Sequence, residues 1–80
     1  MGHTLDPLHG LANYIRKRRV RSGMTMEQFA NELKVSVTVV QLLERGPKRL
    51  PDPSLFHRIC NVLDCKPEDL LRAAGFLQKP

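Results

Sequence analysis

Two helix starts lie close together within residues 25–46, and their spacing constrains the fold more than any other feature of the chain. Thr25 is an N-cap residue type, and Gln28 three positions later completes the pattern of a capping box. Ser36 is a second N-cap candidate, and the residues just before it leave room only for a tight turn. Gly46, which proline follows, is suited to ending the second helix in a left-handed conformation. Two short helices joined by about three residues predict a helix-turn-helix.

Apolar residues recur at helical spacing through the rest of the chain and predict three further helices. We expect helices at about 8–21, 26–33, 37–45, 54–63 and 67–74. Asp52 is the cap candidate for the fourth helix, and Pro53 suits its first turn. Eighty residues form one domain at most. The sequence therefore predicts an all-α fold, a compact five-helix bundle at 8–77, preceded by a flexible N-terminal arm at 1–7.

The same stretch carries a second pattern, Thr25-x-x-x-Phe29-Ala30-x-x-Leu33-x-Val35-Ser36-x-x-x-Val40-x-x-Leu43-Glu44-Arg45-Gly46. This run resembles the Cro/C1-type (XRE, phage-repressor-like) helix-turn-helix family, and the similarity extends from about Leu11 to Leu71. The resemblance implies a lambda-repressor-like DNA-binding domain that binds double-stranded operator DNA, usually as a homodimer. We expect a transcriptional regulator, with repression as the favoured direction and activation left open.

Two arginines, Arg18 and Arg19, occupy the positions where the first helix should next turn an apolar residue inward. An arginine on an inward row needs a buried partner. In the resembled family an arginine at the position of Arg19 pairs with a glutamate at the position of Glu44. The resemblance therefore implies an Arg19–Glu44 ion pair that ties the first helix to the third.

The helix at 37–45 is the candidate recognition helix of this pattern. Glutamine can pair bidentately with adenine in the major groove, and valine or threonine can contact a thymine methyl. The candidate base contacts are Ser36, Val37, Thr38, Gln41 and Leu42.

Basic residues lie on either side of that helix in the sequence and are candidates for phosphate contacts. A loop rich in proline follows it, and basic residues in this loop contact phosphate in the resembled family. The N-terminus of the second helix offers free backbone N–H groups, although Met26 stands where the family often has a glutamine. The candidate phosphate contacts are Met26, Gln28, Arg45, Lys48, Arg49 and, from the basic run 16–21, Arg16, with Arg18 as the other possibility there.

Apolar residues on the recognition helix leave a second function open. Val37, Val39 and Leu42 look exposed, and exposed apolar clusters usually mark a protein interface. The alternative is thus a repurposed helix-turn-helix that binds protein, or an antitoxin-like partner. Phe76 and Leu77 form an apolar end that either folds back on the core, which we favour, or makes a dimer contact with Phe56.

The overall charge favours a polyanionic partner. Thirteen Lys and Arg against eight Asp and Glu give a formal net charge of +5, with a pI near 9.8. No apolar run approaches the ~20 residues of a membrane span, and the N-terminus lacks the apolar segment of a signal peptide. We interpret Cys60 and Cys65 as small hydrophobes in a reducing, cytoplasmic setting. No metal, cofactor, small-molecule substrate or catalytic activity is expected.

Overall fold

The computed structural model describes residues 7–76, and within them every regular element is an α-helix. The helices are α1 (Pro7–Arg21), α2 (Met26–Leu33), α3 (Val37–Arg45), α4 (Pro53–Leu63) and α5 (Pro67–Ala73). This confirms the predicted all-α, five-helix fold. The predicted arm lies outside the described residues except for Pro7, which begins α1 rather than ending an arm. Pro53 likewise lies within α4, one residue earlier than the expected start.

Local side-chain caps explain where α2, α3 and α4 begin. The Gln28 N–H donates to the Thr25 hydroxyl at 3.0 Å, and the Thr25 N–H donates to Gln28 Oε1 at 2.8 Å, which completes the capping box. The Ser36 hydroxyl caps α3, and Asp52 accepts a hydrogen bond from the N–H of Leu55 at 2.8 Å. Each cap satisfies a backbone donor that the helix itself leaves without an acceptor.

The turn between α2 and α3 depends on one residue in the left-handed region. Lys34 has φ of 62°, and the N–H of Val35 donates back to the carbonyl of Ala30 at 3.0 Å. This is the hydrogen-bond pattern of a Schellman motif, which ends α2 abruptly. It brings α3 across α2 after only three residues, which is the geometry of a helix-turn-helix.

The core lies between α1 and the other four helices. Its largest fully buried side chains are Phe29, Leu11, Ile15, Leu33, Ile59, Leu63, Leu70 and Val40. Leu8, Leu55 and Leu71 lie at the margin of this core and are half-buried. Phe76 is 61% exposed, so the expected fold-back of this ring onto the core is wrong, and Leu77 lies outside the described residues.

Two arginines bind the carboxyl ends of neighbouring helices. Arg18 donates to the carbonyl oxygens of Leu63 and Asp64 at 2.9 and 3.0 Å, where α4 ends. Arg58 donates to the carbonyl oxygen of Leu33 at 3.2 Å, where α2 ends. A cation at the negative end of a helix is stabilising. Arg18 is therefore used within the fold, which corrects its assignment as a possible phosphate contact.

The two cysteines are free thiols at the junction of α4 and α5. Burial, together with the neighbouring Cys65, raises the pKa of the Cys60 thiol to about 11. Burial also raises the pKa of Cys65, although its hydrogen bonds to Tyr14 and Cys60 oppose this. Because the thiolate is the reactive form, both groups are poor nucleophiles, as packed structural cysteines are.

The close approach of α1 and α5 at Gly10 leads to a prediction about stability. A Cβ at this position would lie 2.6 Å from the carbonyl oxygen of Ala73. A helical Gly→Ala change normally stabilises by about 0.5–1 kcal/mol. Here we expect Gly10→Ala to lower the free energy of unfolding by about 1–2 kcal/mol, because an overpacked contact must move apart. Denaturant unfolding measures this, with Asn13→Ala on the exposed side of α1 as the control. A more stable Gly10→Ala protein would contradict the packing.

Candidate nucleic-acid interface

One side of α3 is free of the protein core. Thr38, Gln41, Leu42 and Arg45 are all exposed, and the last three follow Thr38 at the helical spacings of three, four and seven residues. We call these four residues the α3 strip. It presents a hydroxyl, an amide, an aliphatic side chain and a guanidinium in one row. These are groups that can contact base edges, a thymine methyl and phosphate oxygens.

The opposite side of α3 is fixed to the rest of the fold. Val40 and Leu43 are buried in the core. Arg19 donates from Nε to Glu44 Oε2 at 2.6 Å and from Nη2 to Glu44 Oε1 at 3.1 Å, so the structure contains the ion pair that the resemblance implied. Only 11% of the Arg19 side chain and 3% of the Glu44 side chain are exposed. Their bidentate geometry restrains the rotation of α3, because it ties one row of this helix to α1.

A third hydrogen bond of Arg19 extends this link to the start of the helix-turn-helix. Its Nη1 donates to the carbonyl oxygen of Met24 at 2.7 Å, one residue before the cap of α2. One guanidinium thus connects α1, α3 and the segment that leads into α2. The position of the α3 strip relative to the N-terminus of α2 is therefore set by a buried side chain rather than by the strip itself.

Two valines that look exposed in the sequence are partly covered in the structure. Val37 and Val39 are half-buried and pack against the core, one on each flank of α3. The interpretation of Val39 as exposed is wrong because α3 is held on both sides by α1 and α2. Leu42 is the exposed apolar residue of this helix, at 57%. The apolar surface of α3 is therefore much smaller than the sequence indicated.

The other candidate DNA contacts, near the starts of α2 and α3, are partly used in contacts within the fold. The Ser36 hydroxyl accepts from the N–H of Val39 at 3.4 Å and keeps its own proton for donation. Gln28 uses its carbonyl oxygen in the capping box and keeps its NH₂ group. Met26 is half-buried and packs against the core, so part of its side chain is used within the fold. In the first turn of α2, the N–H groups of Met26 and Glu27 have no acceptor within the helix.

A basic loop follows α3 over residues 46–52. Lys48 and Arg49 are exposed, as is Arg45 at the end of α3, and none of the three bonds to any side chain or carbonyl in residues 7–76. Leu50 is half-buried against the core and anchors the loop. Three cations are therefore held beside the carboxyl end of α3 with no partner among residues 7–76.

Arg16 is exposed and donates to Asn13 Oδ1 at 2.8 Å. At about 100° per residue, it lies roughly 60° around α1 from Arg19, on the flank nearer to α3. The exposed His9 lies near Gly46, since a Cβ placed on Gly46 would lie 3.4 Å from His9 Nδ1. An imidazole thus lies beside the start of the basic loop. No local pattern predicts this contact, because it depends on how α1 packs against α3.

The fold, together with the family and the similar structures that follow, defines the class of protein, a DNA-binding transcriptional regulator of the helix-turn-helix type. The chain belongs to the HTH_3 helix-turn-helix family, which it matches over residues 15–70. No curated protein sequence matches the chain significantly.

Two solved structures of the clp gene regulator ClgR from Corynebacterium glutamicum are similar to this chain, each at 27% identity. One has a TM-score of 0.75 and covers 92% of this chain and 77% of its own. The other has a TM-score of 0.73 and covers 91% of this chain and 92% of its own. In the part of the chain that the structure describes, no helix is long and apolar enough to cross a membrane.

Proposed function

We propose that this protein is a sequence-specific regulator that inserts α3 into the major groove of an operator. The observation that carries the proposal is the α3 strip, exposed along one side of a helix whose other side is fixed by the Arg19–Glu44 ion pair. A major groove about 12 Å wide admits an α-helix. The similarity to ClgR, a clp gene regulator, supports the regulatory role.

The base contacts that we propose come from α3 and its cap. Gln41 supplies the amide of the α3 strip and is the candidate for a bidentate contact with adenine. Thr38 and Leu42 lie beside it on the strip, and each can contact a thymine methyl. Ser36 and the half-buried Val37 have a smaller part, since both lie at the edge of the strip.

Phosphate contacts would position α3 in the groove. Arg45, Lys48 and Arg49 are the main candidates because they are exposed, charged and have no partner among residues 7–76. From the other flank, the α2 amides at Met26 and the NH₂ group of Gln28 can donate to phosphate oxygens, and Arg16 can add a further cation. These contacts set orientation and affinity, whereas the α3 strip sets the sequence preference.

A homodimer on a palindromic operator is the proposed assembly, and repression is the proposed direction of regulation. Both follow from the resemblance to phage repressors. A two-fold protein requires half-sites separated by about 34 Å, which is one turn of the duplex. A reporter gene placed behind the selected operator tests the direction, because expression of a repressor lowers the reporter signal.

Selection of binding sites from random duplexes tests the proposal. The expected result is an enriched motif with two-fold symmetry and half-site centres about 10 base pairs apart. The selection uses the full chain at low salt, where phosphate contacts are strongest. Recovery of sequences with no common motif would contradict sequence-specific binding, and an asymmetric motif would contradict the dimer alone.

The exposed Leu42 favours a second candidate, in which α3 docks a protein. Leu42→Glu separates the two functions. If α3 lies in the major groove, the new carboxylate faces the phosphates and we expect duplex binding to fall by at least about tenfold, since like charges in an interface are costly. If α3 docks a protein, duplex binding is unchanged. Leu42→Gln, which keeps similar size without charge, is the matched control.

A further inference from the structure

The first helix carries an unusually one-sided charge. Residues 7–26 contain no Asp or Glu, while five of the six residues from 16 to 21 are Arg or Lys. Arg18 and Arg19 are used within the fold, at the end of α4 and at Glu44. Lys17 and Arg21 are exposed and bond to nothing else in the part of the chain described. Two of these cations therefore have partners within the fold, and Arg16 lies on the side of α1 nearer to α3.

The two unexplained cations point away from the helix-turn-helix. Lys17 and Arg21 each lie two residues from Arg19, which places both roughly 160° around the helix from it. Because Arg19 faces α3, these side chains lie on the far side of α1. Tyr14 shares that side, being three residues before Lys17 and seven before Arg21. Val20 adjoins it and is 61% exposed. We call Tyr14, Lys17, Val20 and Arg21 the outer face of α1.

The outer face combines charge with apolar surface. Its four residues, together with the stems of Arg16 and Arg18, line a shallow open hollow. The Arg18 guanidinium lies 5.9 Å from the centre of the Tyr14 ring, and it also bonds the end of α4, so this wall of the hollow is fixed. Val20 and Tyr14 line the same hollow, which therefore offers apolar surface as well as charge. The arrangement suits a ligand that carries both carboxylates and an apolar side chain.

We propose that the outer face of α1 docks an acidic polypeptide segment of a partner protein. Carboxylates of that segment pair with Lys17 and Arg21, and an apolar side chain between them packs on Val20 and Tyr14. Charge complementarity selects the partner, since Lys17 and Arg21 have no partner within residues 7–76 and α1 contains no acidic residue. A nucleic acid fits less well because its phosphate backbone offers nothing to the apolar part. The proposal does not depend on DNA binding by α3.

The test is a titration of the ¹⁵N-labelled full chain with a short synthetic peptide in which Glu and Leu alternate. We expect amide shift changes confined to α1 around residues 14–21. The variant Lys17→Glu/Arg21→Glu should weaken binding by at least about tenfold, the effect of reversing two partly exposed charge pairs. The matched variant Arg45→Glu/Lys48→Glu, with the same change of charge beside α3, should bind the peptide as the wild type does. Thermal melting of both variants shows that they fold.

Several outcomes would overturn the proposal. Shift changes along the α3 strip and the basic loop would mean that the peptide is only a polyanion at the DNA surface. Equal binding of a peptide with Gln in place of Glu would show that carboxylates are not needed for binding. The absence of any amide shift change would show that the peptide does not bind this face. If Lys17→Glu/Arg21→Glu weakens duplex binding as much as Arg45→Glu/Lys48→Glu, the outer face belongs to the DNA interface. Dissociation of a homodimer by the first variant would identify the partner as a second copy.

Discussion

Replacement of Arg19 by alanine is expected to lower the free energy of unfolding by about 3–5 kcal/mol. The substitution leaves the Glu44 carboxylate without its partner, and only 3% of that side chain is exposed. It also removes the hydrogen bond to the carbonyl of Met24. In a domain of this size, each kcal/mol corresponds to about 4–8 °C in melting temperature, so the loss is large in calorimetry or denaturant unfolding.

Arg72→Ala provides the matched control, because Arg72 and Asp69 form an exposed ion pair at 3.5 Å on α5. Exposed pairs contribute about 0–1 kcal/mol, so little change is expected there. The double variant Arg19→Met/Glu44→Leu should recover much of the stability, since removing both charges strands neither of them. A melting temperature for Arg19→Ala equal to that of Arg72→Ala would show that the buried pair contributes little.

Removal of the three cations beside α3 is expected to have the largest effect on DNA binding. Each contacted phosphate contributes about 0.9 to the slope of log affinity against log salt concentration, so Arg45→Ala/Lys48→Ala/Arg49→Ala should reduce the slope by about 2.7. Between about 50 and 200 mM salt, the wild type should then lose roughly 40-fold more affinity than the variant does. Fluorescence anisotropy with a labelled duplex measures both slopes.

The control must carry the same change in net charge. Lys17→Ala/Arg21→Ala/Arg72→Ala also lowers the formal charge from +5 to +2, but its cations lie on α5 and on the far side of α1. Its salt slope should remain close to that of the wild type, because general attraction by net charge releases no bound counterions at specific phosphates. Equal loss of slope in both triple variants would mean that the basic loop has no special position in the complex.

Most of what the sequence predicted about the fold depends on interactions between residues that are close together in the chain. The starts of α2 and α3 follow from the side-chain caps of Thr25 and Ser36, which act within three residues of themselves. The C-terminal turn of α2 needs only that Lys34 accept a left-handed backbone. These interactions are short-range in sequence, so the residues reveal them directly. The family resemblance added the pairing of Arg19 with Glu44, whereas the residues alone indicated only that Arg19 needed a partner.

The parts that sequence reasoning missed depend on contacts between distant segments. Val39 is half-buried because of where α2 lies, and Arg18 is occupied because α4 ends beside α1. His9 meets Gly46 for the same kind of reason. Helical periodicity predicts one buried side for each helix. Because α3 packs against neighbours on two sides, more of its residues are buried than the single apolar row predicts. The candidate surface on α3 is consequently narrower and more polar than the sequence indicated.

The central claim, that α3 reads base edges, is tested most directly through Gln41. The wild type and Gln41→Ala are measured against every single-base variant of the selected operator. We expect the wild type to discriminate at several positions of each half-site by about 1–3 kcal/mol, and Gln41→Ala to lose discrimination at one of them while keeping the others. An identical preference profile for both proteins, together with an identical profile for Thr38→Ala, would show that α3 does not lie in the major groove.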